Sequence, residues 1–312
     1  MIRLPVARLG ALVLAGAVAA PALAQSHAAH GGAGSAPSAA APSPRSAAFR
    51  APAGSNVVDV VARDYAFDVP TRIPAGLTTF RLRNEGPDLH HIYLVKLAPG
   101  KTMADVFTYM QQPSDAPSFP SWATPVGGPN TPRPGGGESN ATLYLEAGEY
   151  AMLCVIPAKD GMPHVMKGMA KAITVTPAAR PTRPASGHPD TPAPKADVTM
   201  TLRDYDFALD RPLRAGKQLV AVRNGAAQPH EVFIARLAPG KTVQDLLKWI
   251  EKPDGPPPGE PMGGTTDIGT GGTNYIGLDL AQGEYGLICF SFDRKDGRPH
   301  FMHGMIKQLT VK

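Results

Sequence analysis

The sequence predicts an all-β protein: two tandem Greek-key β-sandwich domains, each with one short helix, joined by a proline-rich linker. Three observations carry this reading. Short runs of β-branched and apolar residues mix with polar ones, the pattern of half-buried strands. The second half of the chain repeats the first, motif by motif. A proline-rich stretch separates the halves, and 312 residues leave room for two ordinary domains.

The repeat is the duplication of a whole domain. Arg63-Asp64-Tyr65-Ala66-Phe67 matches Arg203-Asp204-Tyr205-Asp206-Phe207, and Arg83-Asn84 with His90 matches Arg223-Asn224 with His230. The six residues 97–102 recur unaltered at 237–242. These correspondences share an offset of 140, which falls to 135 at the two cysteines because an intervening loop has shortened. A period this long is a tandem domain rather than a solenoid repeat.

In chain order, residues 1–24 are expected to be a secretory signal. Arg3 and Arg8 accompany an apolar run too short for a comfortable membrane span, and Ala22-Leu23-Ala24 offers a small-residue cleavage site. Its removal would leave no stable membrane span and a periplasmic or secreted protein. Residues 25–55 are mostly Ala, Gly, Ser and Pro, which bury too little surface to offset ordering entropy, so a disordered tether is expected.

The first domain covers 56–176, with strands expected over 57–62, 77–82, 92–97, 142–145, 150–154 and 170–175. A period of two places Tyr150, Met152 and Cys154 on one face. Residues 177–195 form the semi-extended linker. The second domain covers 196–312, puts Tyr285, Leu287 and Cys289 on one face and ends in a strand over 306–311. Each domain has one helix: Met103, Val106, Phe107 and Met110 fall at helical spacing, as do Val243, Leu246, Leu247 and Ile250. Thr102 and Thr242 cap these helices, each with an aspartate three residues on. The Pro/Gly-rich loops 113–137 and 253–272 carry no ligand-like cluster. His27, His30 and His188 fall in the polar segments and read as solvated side chains.

With 31 basic against 26 acidic side chains the formal charge is +5, and +3 after loss of the signal. Nothing in that balance supports nucleic-acid binding.

The chain has only two cysteines, and they occupy the same place in the two copies. Gly148-Glu149-Tyr150 precedes Cys154, then Pro163-His164 and Met169; Gly283-Glu284-Tyr285 precedes Cys289, then Pro299-His300 and Met305. Thiolate, imidazole and thioether are ligands that suit copper, and two imidazoles with one thiolate and a weak axial thioether describe a blue-copper site. A Cys154–Cys289 disulfide would require two strand ends pointing into separate sandwiches to approach within about 7 Å.

At these residues the chain resembles the cupredoxin family, over 56–176 and 196–312. The resemblance implies copper as cofactor, one type 1-like ion per domain. It implies the ligands His90, Cys154, His164 and Met169 in the first domain and His230, Cys289, His300 and Met305 in the second. Met166 and Met302, also shared between the copies, are the alternative axial ligands. His91 is set aside because its counterpart is Glu231, and His303 because Lys167 stands opposite it. Nine and ten residues separate cysteine from histidine, a longer loop than in small cupredoxins and more like the type 1 site of copper nitrite reductases.

No enzymatic activity is expected. The cysteines are flanked by Leu153 and Val155, and by Ile288 and Phe290, with no adjacent histidine to feed a catalytic copper. Paired His-x-His motifs, as in multicopper oxidases, are absent from both blocks. The expected function is single-electron transfer by an exported copper protein, in exchange with a redox partner protein. Copper storage or delivery to a cuproenzyme, and a metal-free interaction module, are the alternatives.

Overall fold

The computed structural model describes residues 49–112, 119–178 and 192–312. The expected signal, most of the tether, and His27, His30 and His188 lie outside these residues. Among the described residues no helix is long and apolar enough to cross a membrane.

The first domain holds β1 (Asn56–Arg63), β2 (Ala66–Asp68), β3 (Arg72–Pro74), β4 (Gly76–Asn84), β5 (Tyr93–Leu97), α1 (Met103–Met110), β6 (Ala123–Gly127), β7 (Gly137–Leu145), β8 (Gly148–Leu153) and β9 (Ala170–Thr176). The second holds β10 (Val198–Arg203), β11 (Asp206–Leu209), β12 (Gly216–Asn224), β13 (His230–Leu237), α2 (Val243–Glu251), β14 (Gly259–Ile268), β15 (Thr273–Leu280), β16 (Gly283–Ile288) and β17 (Ile306–Val311). Both helices begin where expected. In each, the threonine hydroxyl accepts the N–H of the aspartate three residues on, whose carboxylate in turn accepts the threonine N–H, forming a capping box.

Two sheets face each other across both domains. One has the order β11-β10-β12-β15-β7-β4-β1-β2 and the other β17-β16-β13-β14-β6-β5-β8-β9-β3. Between them lie two apolar cores. Phe80, Leu94, Tyr150, Met152, Cys154 and Met169 belong to the first, and Phe207, Ile234, Tyr285, Leu287, Cys289 and Met305 to the second. Tyr150, Met152 and Cys154 thus share the inward face that their spacing predicts. Helix α1 covers the outer face of β5 and β8 through Val106, and α2 covers β13 and β16 through Val243, Leu246 and Ile250. The fold is therefore two tandem cupredoxin-like β-sandwiches, each with one helix.

The Pro/Gly-rich loops, left without a role by the sequence, form the seam between the domains. They contain β6 and β14, which pair at Val126 and Ile268. Further bridges join Pro129 to Thr265 and Pro132 to Met262. Pro129 and Thr265 are counterparts at an offset of 136, so the seam is an approximate two-fold in which each copy offers the other the same surface. The second sheet junction, Tyr275 to Thr142, is tied by Asn140, whose amide donates to Gly277 O at 2.9 Å and accepts from Gly277 N at 2.8 Å. Phe49, within the expected tether, lies against Gly277.

Gly128 and Gly264 lie on the seam, and each packs closely against its own domain. Each has positive φ, 138° and 115°, and a Cβ on either would sit 2.4 Å from Ile92 O or 2.0 Å from Val232 O. Across the seam Thr266 N donates to Gly128 O at 2.9 Å and Asn130 N to Gly264 O at 3.1 Å. Gly128→Ala is expected to cost about 1–3 kcal/mol or more, from backbone strain plus the clash. Urea unfolding checks this, and a wild-type midpoint would contradict it.

Candidate metal centre

Each cysteine lies at the end of the strand that also carries its inward-facing tyrosine, and both are free and fully buried. After Cys154 the chain makes a turn and a 3-10 helix over His164–Lys167, which closes with Gly168 in the left-handed region at φ 105°. Met169 N donates to His164 O at 3.0 Å and Cys154 N donates to Met169 O at 3.1 Å. These bonds fold His164 back over Cys154. The second domain repeats them, with Met305 N to His300 O at 3.0 Å and Cys289 N to Met305 O at 3.2 Å. His90 reaches the same point from the far side, on the loop before β5. That loop is pinned by Asn84, whose amide donates to Asp88 O at 2.8 Å and accepts from Gly86 N at 3.0 Å. Asn224 makes the equivalent bonds to Gln228 O and Ala226 N.

His90, Cys154 and His164 bring one donor atom each to within 4.8 Å of one another, as do His230, Cys289 and His300. In the first group the two Nδ1 atoms are 3.1 Å apart, and Cys154 Sγ is 3.5 Å from His164 Nδ1. In the second, Cys289 Sγ lies 3.9 Å from His230 Nδ1 and 3.4 Å from His300 Nδ1. Met169 and Met305 are fully buried in the same cores as the cysteines. Met166 instead packs on the outer, helix-covered side, and Met302 is 51% exposed.

The sequence left unassigned the residues that orient these groups, although the repeat displayed them. His90 Nε2 meets Asp64 Oδ1 at 2.5 Å and His230 Nε2 meets Asp204 Oδ1 at 2.9 Å. A proton shared with the carboxylate at Nε2 leaves the Nδ1 lone pair facing His164 Nδ1 in the first group and Cys289 Sγ in the second. Tyr65 and Tyr205 cover the second histidines, with ring centroids 4.6 Å from His164 and 5.7 Å from His300.

His91 stands outside the group. Val155 N donates to its Nε2 at 3.1 Å, and Phe290 N donates to Glu231 Oε1 at 3.0 Å. The mismatched pair His91/Glu231 therefore does one job, accepting the N–H of the residue after each cysteine. His303 is partly exposed and paired with Asp296 at 3.2 Å, and these two with Asp293 form a third set of donor atoms within 4.8 Å. In the first domain Lys167 pairs with Asp160 at the same place.

Burial sets the protonation states. It lowers His164 and His300 to about 4, with a smaller contribution from the neighbouring imidazole, and lowers His91 to about 3. His90 and His230 are also lowered by burial, with their aspartates opposing. Burial pushes the Cys154 thiol up to about 12 and Cys289 well above its usual value. The metal-free cavity thus holds neutral imidazoles and a thiol, and a metal would displace the thiol proton. The donor set fits a copper ion: inward-facing nitrogens of neutral imidazoles, a sulfur, and apolar surroundings. His164 Nε2 and His300 Nε2 are buried without a hydrogen-bond partner.

Two β-sandwiches, each with a His/Cys/His group at one end of its core, define a chain of tandem cupredoxin-like domains. Among solved structures it is similar to dithionite-reduced auracyanin from Roseiflexus castenholzii, 20% identical, covering 36% of this chain and 94% of that one, with a TM-score of 0.24. Blue copper oxidase from Nitrosomonas europaea is 15% identical over 83% and 86%, with a TM-score of 0.24. Copper-containing nitrite reductase from Thermus scotoductus is 11% identical over 82% and 61%, with a TM-score of 0.21. No protein-family model matches the chain, and no curated protein matches it. The expectation that the chain is not an enzyme is corrected: the similar structures include multicopper oxidases and a nitrite reductase, which are enzymes. Physically, a fold that hosts both carriers and catalysts does not separate them, and the missing histidine beside each cysteine speaks only to one wiring of a catalytic centre.

Asp64→Ala and Asp204→Ala are each expected to lower metal affinity at their own site about 10–100-fold, measured by chelator competition. An unchanged affinity would remove these carboxylates from the site. In the metal-free protein, the unfolded chain takes up histidine protons near 6.5 and the folded chain only near 4. The stabilisation is complete above pH 6.5 and is lost as pH falls towards about 4. Melting temperature across that window checks it, and a flat profile would contradict it.

Proposed function

We propose that this chain is an exported copper protein that carries single electrons, with one type 1-like copper per domain. The observation that carries the reading is the doubled convergence of two inward-facing imidazole nitrogens on a buried thiol. His90, Cys154 and His164 hold the first ion and His230, Cys289 and His300 the second. Met169 and Met305 are the axial candidates, since each lies fully buried in its cysteine's core, whereas Met166 faces the other way and Met302 faces solvent.

Bound copper supplies a one-electron couple, tuned by the axial ligand and by the hydrogen bonding and polarity around the thiolate. The protein's part is rigidity. Asp64 and Asp204 hold one imidazole of each group, and the closed loop after each cysteine holds the other. Little then moves between oxidation states. Export is supported by the features of residues 1–24, and the partner is a redox protein that reaches the histidine end of a domain.

The chain is expected to bind two copper ions with an intense visible thiolate-to-Cu(II) band. Cys154→Ala and Cys289→Ala should each remove one ion and part of the band, read by metal analysis and absorption. Retention of both ions in either variant would sink the ligand assignment. A preference for Cu(I) with no reversible couple would favour storage or delivery instead.

A further inference from the structure

The two sites are built alike on their histidine side and differently on their cysteine side. Around Cys154 the cysteine-side neighbours are neutral: His91 accepts from Val155 N, and the second residue after the cysteine is Ile156. Around Cys289 the same places hold Glu231 and Ser291. Glu231 accepts from Phe290 N at 3.0 Å, and Ser291 Oγ is 3.2 Å from Cys289 Sγ while its hydroxyl donates to Asp267 Oδ1. The first domain completes this network. Tyr93, on β5, donates to Asp267 Oδ2 at 2.6 Å, and Asn130 donates to Glu231 Oε2 at 3.1 Å.

We propose that Asp267 holds the second copper centre at a lower reduction potential than the first, so that the electron of the half-reduced protein rests in the first domain. The inference rests on the copper reading above. Its physical basis is charge. Asp267 receives two hydroxyl donors, the environment of a carboxylate acting as acceptor, and these oppose the upward push of its burial. Burial raises Glu231 to about 8, so Asp267 supplies the charge that the first site lacks. Negative charge beside a centre favours its more positive, oxidised state, and in a partly buried setting one such charge is worth on the order of tenfold in the equilibrium.

The other nearby charges do not reverse the sign. Asp64 and Asp204 are repeat partners, and Asp88 and Asp293 accept from the equivalent tyrosines Tyr65 and Tyr205. Lys167 adds a cation beside Tyr65 in the first domain, where the second has His303. Arg294 is the cation that faces Asp267. Ser291 does not offset the effect, because its one proton is committed to Asp267. The rearrangement is a transfer of one electron from the second centre to the first, with no bond made or broken and no proton moved.

The test is a redox titration of the copper-loaded full chain, following the thiolate-to-Cu(II) band. Two one-electron waves are expected, separated by about tenfold in equilibrium constant, or about 59 mV. Cys154→Ala should keep the lower wave and Cys289→Ala the upper. Asp267→Asn, which keeps an acceptor oxygen, should raise only the lower wave. Coincident waves, or a lower wave that Asp267→Asn leaves in place, would overturn the proposal. Absence of the band from the loaded protein would instead overturn the copper reading itself.

Discussion

The main-chain bond from Cys154 N to Met169 O, with its repeat from Cys289 N to Met305 O, is the constraint on which each site depends. It ties the end of one strand to the start of the next, so everything between must leave and return within a closed loop. Val165 N bonds Cys154 O at 2.7 Å and His164 N bonds Ile156 O at 2.9 Å, which fold the loop onto the strand end. The second domain does the same through Phe301 N to Cys289 O and His300 N to Ser291 O. Its one additional residue is taken up in the turn between Asp293 and Gly297 without moving the histidine. A cysteine-to-histidine spacing that differs by one residue thus delivers the same convergence.

Much of this was legible because the chain states it twice. The strands before and after the cysteines, both helices and their threonine caps, and the two histidine/cysteine sets follow from period and repetition. Asp64 and Tyr65 were visible as a repeated motif, yet nothing in their local pattern linked them to histidines 26 residues away. Such pairing depends on how β1 and the loop before β5 meet in space, which strand periodicity does not encode. The repeat was also most informative where it broke. His91 against Glu231 ruled out a ligand, and that position proved to be a backbone acceptor for which either side chain serves.

The Pro/Gly-rich loops were opaque for a different reason. Glycine and proline mark turns in most sequences, whereas here Gly127 and Gly263, both at positive φ, leave room for Asn274 and Ser139 of the other domain. Val126, Pro129 and Pro132 show no alternation worth calling a strand, and their pairing partners lie in the other domain. The seam also explains why the second site depends on the first domain: Tyr93 and Asn130 sit next to it and reach across.

That seam makes each pairing twice between counterparts, Val126 with Ile268 and Met262 with Pro132, with Pro129 and Thr265 at the centre. A surface of this kind is self-complementary, so two identical single-domain molecules could meet through it as an isologous dimer. Joining them on one chain replaces a concentration-dependent encounter with a permanent neighbour. It also removes the demand that both halves stay the same. Ile156 and Ser291, or His91 and Glu231, are differences that a dimer of identical subunits could never hold, and a fused pair can.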